Sequence, residues 1–168
     1  MNTLAVPPPF LQDTALINIL FLCHGNICRS PVAEILFNRE AQELGIDDRA
    51  HATSAALSAE AVGLGIYQPM RRLLLAEGFE DPCHISRQAT RDDIGKADLV
   101  VVMDQENIEL FKRRFDDFGL DKVRLLLSYA DGDEIDDPWY TREFDRALHE
   151  ILMGVRALAR KIADGGRL

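Results

Sequence analysis

The chain has 168 residues, of which 47% are hydrophobic and 28% charged, and its formal net charge is −9 at pH 7. The length suits one domain with a sizeable core, and the composition is that of a folded rather than a disordered protein. The acidic balance argues against broad binding to nucleic acid or to an anionic membrane surface.

The amino terminus differs in composition from the rest of the chain. Residues 1–14 carry three consecutive prolines and few periodic apolar positions, which predicts a flexible extension outside a single domain at 15–168. The first positive charge is Arg29, so the basic start of a signal peptide is missing, and no apolar run reaches membrane-spanning length. Three cysteines do not make a disulfide framework. We therefore expect a cytoplasmic protein without membrane insertion.

Apolar runs and helical patterns alternate along residues 15–168. Strands are predicted at 17–22, 50–55, 98–103 and 123–127, and helices at 31–44, 69–77, 106–115 and 142–163. Ser30 is the expected N-cap of the first helix, with Pro31 in its first turn and Gly45 at its end. The alternation predicts an α/β fold, a four-stranded parallel sheet with helices on both faces. Ligands of such sheets lie beyond the carboxyl ends of the strands.

The segment between the first strand and the first helix carries the clearest chemical signal. Its sequence is Cys23-His24-Gly25-Asn26-Ile27-Cys28-Arg29-Ser30. The residues between Cys23 and Arg29 can curl so that their backbone N–H groups point at the oxygens of one phosphate. The dipole of the following helix favours Cys23 as an attacking thiolate, and Arg29 offers a two-pronged contact to the phosphate. The pattern predicts a phosphate-binding loop with a cysteine nucleophile after the first strand.

A second acid is expected near the loop. Attack on a phosphomonoester forms a cysteinyl-phosphate, and the leaving oxygen then needs a proton. The sequence DDPWY at 136–140 offers a donor, because Pro138 restricts Asp137 to extended backbone and so holds it rigidly. Trp139 and Tyr140 would shield the acid and form a pocket wall for an aromatic leaving group. Neighbouring acidic residues of the same loop compete for the role.

These two motifs resemble those of the low-molecular-weight protein tyrosine phosphatases. The run from Cys23 to Pro31 is similar to the signature of that family, and the run from Asp137 to Tyr140 to its general-acid loop. The resemblance implies that Cys23 is the nucleophile and that Arg29 binds phosphate and stabilises the transition state. It also implies that Asp137 first protonates the tyrosine oxygen and then activates water.

The resemblance extends to supporting residues. It implies that Asn26 holds the loop through side-chain hydrogen bonds with Ser54 and His84, and that Ser30 donates to the Cys23 sulfur. It further implies a reversible disulfide between Cys28 and Cys23 that protects the nucleophile from over-oxidation. The expected substrate-binding residues are His24, Gly25, Asn26, Ile27, Cys28, Ser30, Trp139 and Tyr140.

One segment departs from the family pattern. Between residues 57 and 66, many relatives carry an aromatic residue that flanks the substrate ring, followed by a proline pair. Here Glu60 stands near the place of the aromatic residue, and Gly65 and Ile66 replace the prolines. Either an acidic rim favours basic neighbours of the phosphotyrosine, or Trp139 alone stacks on the ring.

We therefore expect a phosphatase without metal or cofactor that acts on phosphotyrosine in protein substrates and releases inorganic phosphate. Three alternatives stay open. An arsenate reductase on the same fold would need a relay of cysteines, whereas Cys83 stands alone. Relatives that hydrolyse phosphoarginine tend to carry threonine where Ile27 stands. A non-catalytic phosphotyrosine-binding module would be expected to lack Cys23 or Asp137.

Overall fold

The computed structural model describes residues 15–168, so the extension expected at 1–14 lies outside the described residues. The elements of the described part are, in chain order, β1 (Ile17–Cys23), α1 (Arg29–Glu43), β2 (Ala50–Ala56), α2 (Gln68–Ala76), α3 (Arg91–Lys96), β3 (Leu99–Val102), α4 (Gln105–Phe115), β4 (Val123–Leu125), α5 (Pro138–Thr141) and α6 (Phe144–Ala163). Two short 3-10 helices, Leu120–Lys122 and Leu126–Ala130, flank β4.

The four strands of the described chain form one sheet in the order β2-β1-β3-β4, and every neighbouring pair is parallel. This confirms the predicted α/β fold. The valine run of β3 is buried along its whole length, because helices cover both faces of a parallel sheet. With β1 and β3 adjacent at the centre, the segments that follow these two strands meet at one edge of the sheet.

Successive residues of the central strands point to opposite faces and separate the core into two layers. One layer joins Ile19 and Phe21 to α1 and α6, the two helices that pack most extensively on each other. The other layer joins Leu20 and Leu22 to α3 and α4, with Phe111 and Phe115 at its centre. Burial of these apolar side chains is the main force that holds the helices against the sheet.

One predicted strand is too long, and two short helices, α3 and α5, are missing from the prediction. The fourth strand ends at Leu125 instead of residue 127, because the chain turns there into a 3-10 helix beneath α6. The short helix α3 was not predicted, although Thr90 and Asp93 form a reciprocal capping box at its start. Six residues are too few for a periodic apolar pattern to be recognised.

No helix among residues 15–168 is both long enough and apolar enough to cross a membrane.

Candidate active site

Residues 23–29, here called the phosphate-binding loop, connect β1 to α1 and curl around the Cys23 thiol. The Asn26 backbone N–H points at Cys23 Sγ at 3.3 Å, and Ser30 Oγ lies 3.0 Å from the same sulfur. Asn26 has a φ of +55°, a left-handed conformation that asparagine adopts more easily than most residues. A main-chain N–H and a hydroxyl group, both able to donate a hydrogen bond, therefore face the sulfur.

Ser30 does not cap α1 as its sequence position predicts. The helix begins at Arg29, Cys28 holds the N-cap position, and no side chain of the described residues caps it. The Ser30 hydroxyl instead accepts a hydrogen bond from Asn26 Nδ2 at 2.8 Å and contacts Cys23 Sγ. An N-terminus without a side-chain cap keeps its first N–H groups available for an anion.

Asn26 is fully buried and fastens the loop to the neighbouring strand and to the segment after α2. Its Nδ2 donates to Ser54 Oγ at 3.0 Å, and its Oδ1 accepts from the Arg87 backbone N–H at 3.3 Å. The Asn26 backbone carbonyl lies 2.7 Å from His84 Nε2. The expected contact with Ser54 is therefore made by the asparagine side chain, whereas His84 contacts its main chain.

Two further residues support the loop and were missed in the sequence. Ser54 Oγ donates to Glu34 Oε2 at 2.5 Å, and Ser86 Oγ donates to the Gly25 carbonyl at 2.7 Å. Glu34 follows Ser30 by about one helical turn, so it lies on the same side of α1 as the loop. That spacing was the available signal for Glu34, while Ser86 has no local signal beyond its place near His84.

Arg29 is buried beneath the loop and is held by three oxygens. Its Nη1 donates to Asp104 Oδ2 at 2.5 Å and to the Ile135 carbonyl at 2.8 Å, and its Nη2 lies 3.2 Å from Asp137 Oδ2. Burial alone would lower the pKa of Arg29, but the negative charges of Cys23, Asp137 and Asp104 raise it above its usual value. The guanidinium therefore keeps its charge and a fixed orientation.

Asp104 is a site residue to which the sequence analysis gave no role. It comes soon after β3 and caps α4 by accepting from the Asn107 backbone N–H at 2.7 Å, while its other oxygen holds Arg29. An acidic residue at the carboxyl end of a buried strand, next to the strand that ends in Cys23, was the usable signal.

Asp137 lies against the loop in the way that its proline neighbour predicts. Its backbone is extended, with φ −73° and ψ 111°, as the residue before Pro138 requires. Oδ1 accepts from the Trp139 backbone N–H at 3.0 Å, and Oδ2 faces Arg29. The competing residues Asp133 and Asp136 are exposed and do not line the pocket.

Cys23, Arg29 and Asp137 meet in a pocket of about 260 Å³. Apolar side chains that include Leu64 and Trp139 line its walls. The predicted substrate-binding residues that line it are His24, Gly25, Ile27, Cys28, Trp139 and Tyr140. The other two, Asn26 and Ser30, are fully buried and support the loop instead of lining the pocket.

Trp139 and Tyr140 differ in how they contribute to the wall. Trp139 packs against Tyr67 with ring centroids 5.1 Å apart, which fixes one side of the indole. Tyr140 is 74% exposed and reaches into solvent. Trp139 is therefore the aromatic wall residue that packs on the protein, and Tyr67, which no sequence motif marks, supports it.

Cys28 lines the same pocket as Cys23 and is also buried. Burial, together with the negative charges of Cys23 and Asp137, raises the pKa of the Cys28 thiol well above its usual value. Cys28 is therefore a neutral thiol at physiological pH and does not compete with Cys23 as the nucleophile.

The chain matches a known family over nearly its whole length. Residues 18–167 match the family model described as low molecular weight phosphotyrosine protein phosphatase. This chain is 29% identical to the low molecular weight protein-tyrosine-phosphatase YfkJ of Bacillus subtilis, in an alignment that covers 88% of this chain and 96% of YfkJ. It is 33% identical to the low molecular weight phosphotyrosine protein phosphatase of Rattus norvegicus, covering 76% of this chain and 83% of that one.

Solved structures of protein tyrosine phosphatases have the same fold as this chain. The crystal structure of YfkJ from Bacillus subtilis superposes with a TM-score of 0.85 at 29% identity, covering 91% of this chain and 98% of that chain. A protein tyrosine phosphatase from Entamoeba histolytica superposes with a TM-score of 0.80 at 25% identity, covering 89% of this chain and 98% of that chain.

Proposed function

Because this chain belongs to the low-molecular-weight phosphotyrosine protein phosphatases, which are hydrolases, we propose that Cys23, Arg29 and Asp137 carry out its hydrolysis of phosphotyrosine monoesters. The observation that supports these roles is the convergence of the three side chains on one pocket. Cys23 is a buried residue of its lining, and Arg29 Nη2 is 3.2 Å from Asp137 Oδ2. Geometry of this kind suits two-step transfer through a cysteinyl-phosphate.

In the first step the phosphate lies in the loop, where backbone N–H groups and Arg29 neutralise its charge. The dianion replaces the Asp137 carboxylate as the partner of Arg29, which frees Asp137 to carry a proton. The Cys23 thiolate attacks phosphorus, the bond from phosphorus to the tyrosine oxygen breaks, and Asp137 protonates that oxygen. The products are tyrosine and phosphorylated Cys23.

In the second step water hydrolyses the cysteinyl-phosphate. The oxygen of a water molecule attacks phosphorus while the Asp137 carboxylate takes a proton from that water. The bond from phosphorus to sulfur breaks. The Ser30 hydroxyl, 3.0 Å from the sulfur, donates to the departing thiolate and stabilises it. Inorganic phosphate leaves and Asp137 is again protonated.

We also propose that the reaction needs no metal, that residues 15–168 form one phosphatase domain, and that the protein acts in the cytoplasm on phosphotyrosine proteins. Arg29 and the loop amides supply the positive field that a metal ion would otherwise provide. A Cys23 thiolate needs a reducing compartment to stay active.

One assay separates this function from the alternatives. We expect the wild-type protein to hydrolyse a phosphotyrosine peptide much faster than phosphoserine or phosphoarginine peptides. Cys23→Ser should lose turnover of phosphotyrosine and of para-nitrophenyl phosphate while keeping phosphate binding. Cys83→Ser, which changes an exposed cysteine outside the pocket, is the matched control and should stay active. Faster hydrolysis of phosphoarginine, or an active Cys23→Ser protein, would refute the proposal.

A further inference from the structure

The mouth of the catalytic pocket carries a carboxylate that the two-step reaction does not use. Glu60 lies in the segment after β2 and lines the same pocket as Cys23 and Trp139. Its Oε2 is 3.0 Å from His24 Nε2, and its side chain is 78% exposed. A negative charge therefore stands at the rim, where the residues beside a bound phosphotyrosine would pass.

Glu60 is the charged group at this rim that remains accessible to a substrate. Arg29 and Asp137 also line the pocket in the described chain, but Arg29 is buried and pairs with Asp104 and Asp137. His24 is about one-third exposed and offsets the Glu60 charge only when its ring is protonated. Because the carboxylate repels a phosphate dianion, its favourable contribution must come from contact with another part of the substrate.

The loop that leads into Asp137 also carries negative charge, although its exposed acidic residues do not line the pocket. The segment that leads into Asp137 exposes four acidic residues, Asp131, Asp133, Glu134 and Asp136. Arg142, two residues after Tyr140, has its Nη2 3.2 Å from the Tyr67 hydroxyl and its guanidinium over the Phe144 ring. Glu60 therefore supplies the exposed negative charge at the pocket itself, and the acidic loop adds to it only at longer range.

Building on the proposed function, we propose that Glu60 is a specificity-determining residue that selects phosphotyrosine flanked by lysine or arginine. With the phosphate fixed in the loop, a flanking basic side chain reaches the Glu60 carboxylate and shares or replaces its contact with His24. The aliphatic part of a lysine or arginine packs on the exposed Leu64 side chain in the same wall. A flanking glutamate meets like charge instead.

The effect expected of such a contact is modest and measurable. An exposed ion pair changes an equilibrium constant by about 1.4- to 5-fold, and attraction of lysine adds to repulsion of glutamate. We therefore expect kcat/KM for a lysine-flanked peptide to exceed that for a glutamate-flanked peptide by roughly three- to ten-fold at low salt. Screening should reduce this ratio at high salt.

The test compares the peptides Ala-Lys-pTyr-Lys-Ala and Ala-Glu-pTyr-Glu-Ala in four proteins. The readout is the ratio of their kcat/KM values within each protein, so a general change in activity cancels. Glu60→Gln should lower the wild-type ratio at least two-fold, and Glu60→Lys should bring it below one. Glu80→Gln removes the same charge from an exposed residue outside the pocket and should keep the wild-type ratio.

The outcomes separate two kinds of failure. A wild-type protein that hydrolyses both peptides equally well, or a Glu60→Gln protein that keeps the wild-type ratio, would overturn the role of Glu60 and leave the phosphatase activity standing. A folded wild-type protein that hydrolyses neither peptide would instead overturn the proposed function.

Discussion

At the residue scale, the site depends on how Asp137 uses its two carboxylate oxygens. One accepts from the Trp139 backbone N–H at 3.0 Å and sets the orientation of the side chain. The other faces Arg29 at 3.2 Å and is available to donate a proton once the phosphate has taken over the guanidinium. The restricted backbone before Pro138 keeps both contacts in place.

Replacing Asp137 by asparagine should separate the proton-transfer role from binding. We expect kcat for phosphotyrosine to fall by about 10²- to 10⁴-fold, since general acid catalysis contributes on that scale. A substrate with a very good leaving group needs less protonation and should lose much less. Steady-state kinetics with the two substrates measures the difference, and Asp136→Asn is the matched control. If kcat falls equally for both substrates, the general acid is a residue other than Asp137.

The two pocket cysteines should behave differently on oxidation. Two groups that can donate hydrogen bonds face Cys23 Sγ, whereas burial raises the pKa of Cys28 and keeps it in its thiol form. We expect peroxide to inactivate the wild-type protein reversibly, because Cys28 captures oxidised Cys23 as a disulfide before further oxidation. Cys28→Ser should therefore recover less activity on addition of thiol. Equal recovery of the two proteins would exclude a protective disulfide.

Local sequence marks some of the residues that meet in the pocket and leaves others unmarked. Cys23 and Arg29 lie six residues apart in one loop, and their spacing is a recognisable motif. A second motif, the aspartate followed by proline, marks Asp137. Asp104 and the Ile135 carbonyl reach Arg29 from 75 and 106 residues away. The place of Asp104 after a buried strand is a signal for a site residue, but neither contact with Arg29 can be read from local sequence, because both form only once the sheet has brought the strand ends together.

At the element scale, the predicted strands and long helices agree with the structure, and the errors fall where tertiary contacts override local pattern. Leu126 and Leu127 continue an apolar run that looks like a strand. In the structure they turn into a 3-10 helix packed under α6. Gly154 in α6 allows this close approach, since a Cβ atom there would lie 2.7 Å from Leu126 Cγ and 2.9 Å from the Leu126 carbonyl.

This packing gives a stability prediction. Gly154→Ala should lower the free energy of unfolding by about 1–3 kcal/mol, because the added methyl group overpacks against the Leu126 backbone. Gly95→Ala in α3 is the matched control, since its Cβ would meet only Phe118 Cζ at an ordinary 3.8 Å. That variant should be neutral or slightly stabilised by helix propensity. Urea unfolding of the two variants measures the difference, and equal stabilities would contradict the packing argument.

At the scale of the whole molecule, the protein carries net negative charge, so it must bind a phosphate anion through a positive potential confined to the pocket. The net charge of −9 repels phosphate at long range, so affinity depends on the loop amides, the α1 N-terminus and Arg29. Screening limits the long-range repulsion to about 8 Å at physiological salt, whereas the buried contacts are much less screened.

Because these groups supply the positive field, the activity should not depend on a metal ion. We expect EDTA to leave the hydrolysis of para-nitrophenyl phosphate within error of the untreated protein. Added Mg²⁺ or Zn²⁺ should not raise the rate after EDTA has been removed. A loss of activity that metal restores would show that the loop amides and Arg29 do not suffice.

The most direct measurement of the central claim is to trap the intermediate. Acid quenching during turnover of para-nitrophenyl phosphate, followed by peptide mass spectrometry, should find one phosphoryl group on Cys23. Its amount should rise in Asp137→Asn, in which hydrolysis of the intermediate is slowed while the good leaving group still departs. Turnover with no phosphoryl group on Cys23 in either protein, or with the group on another residue, would contradict the account.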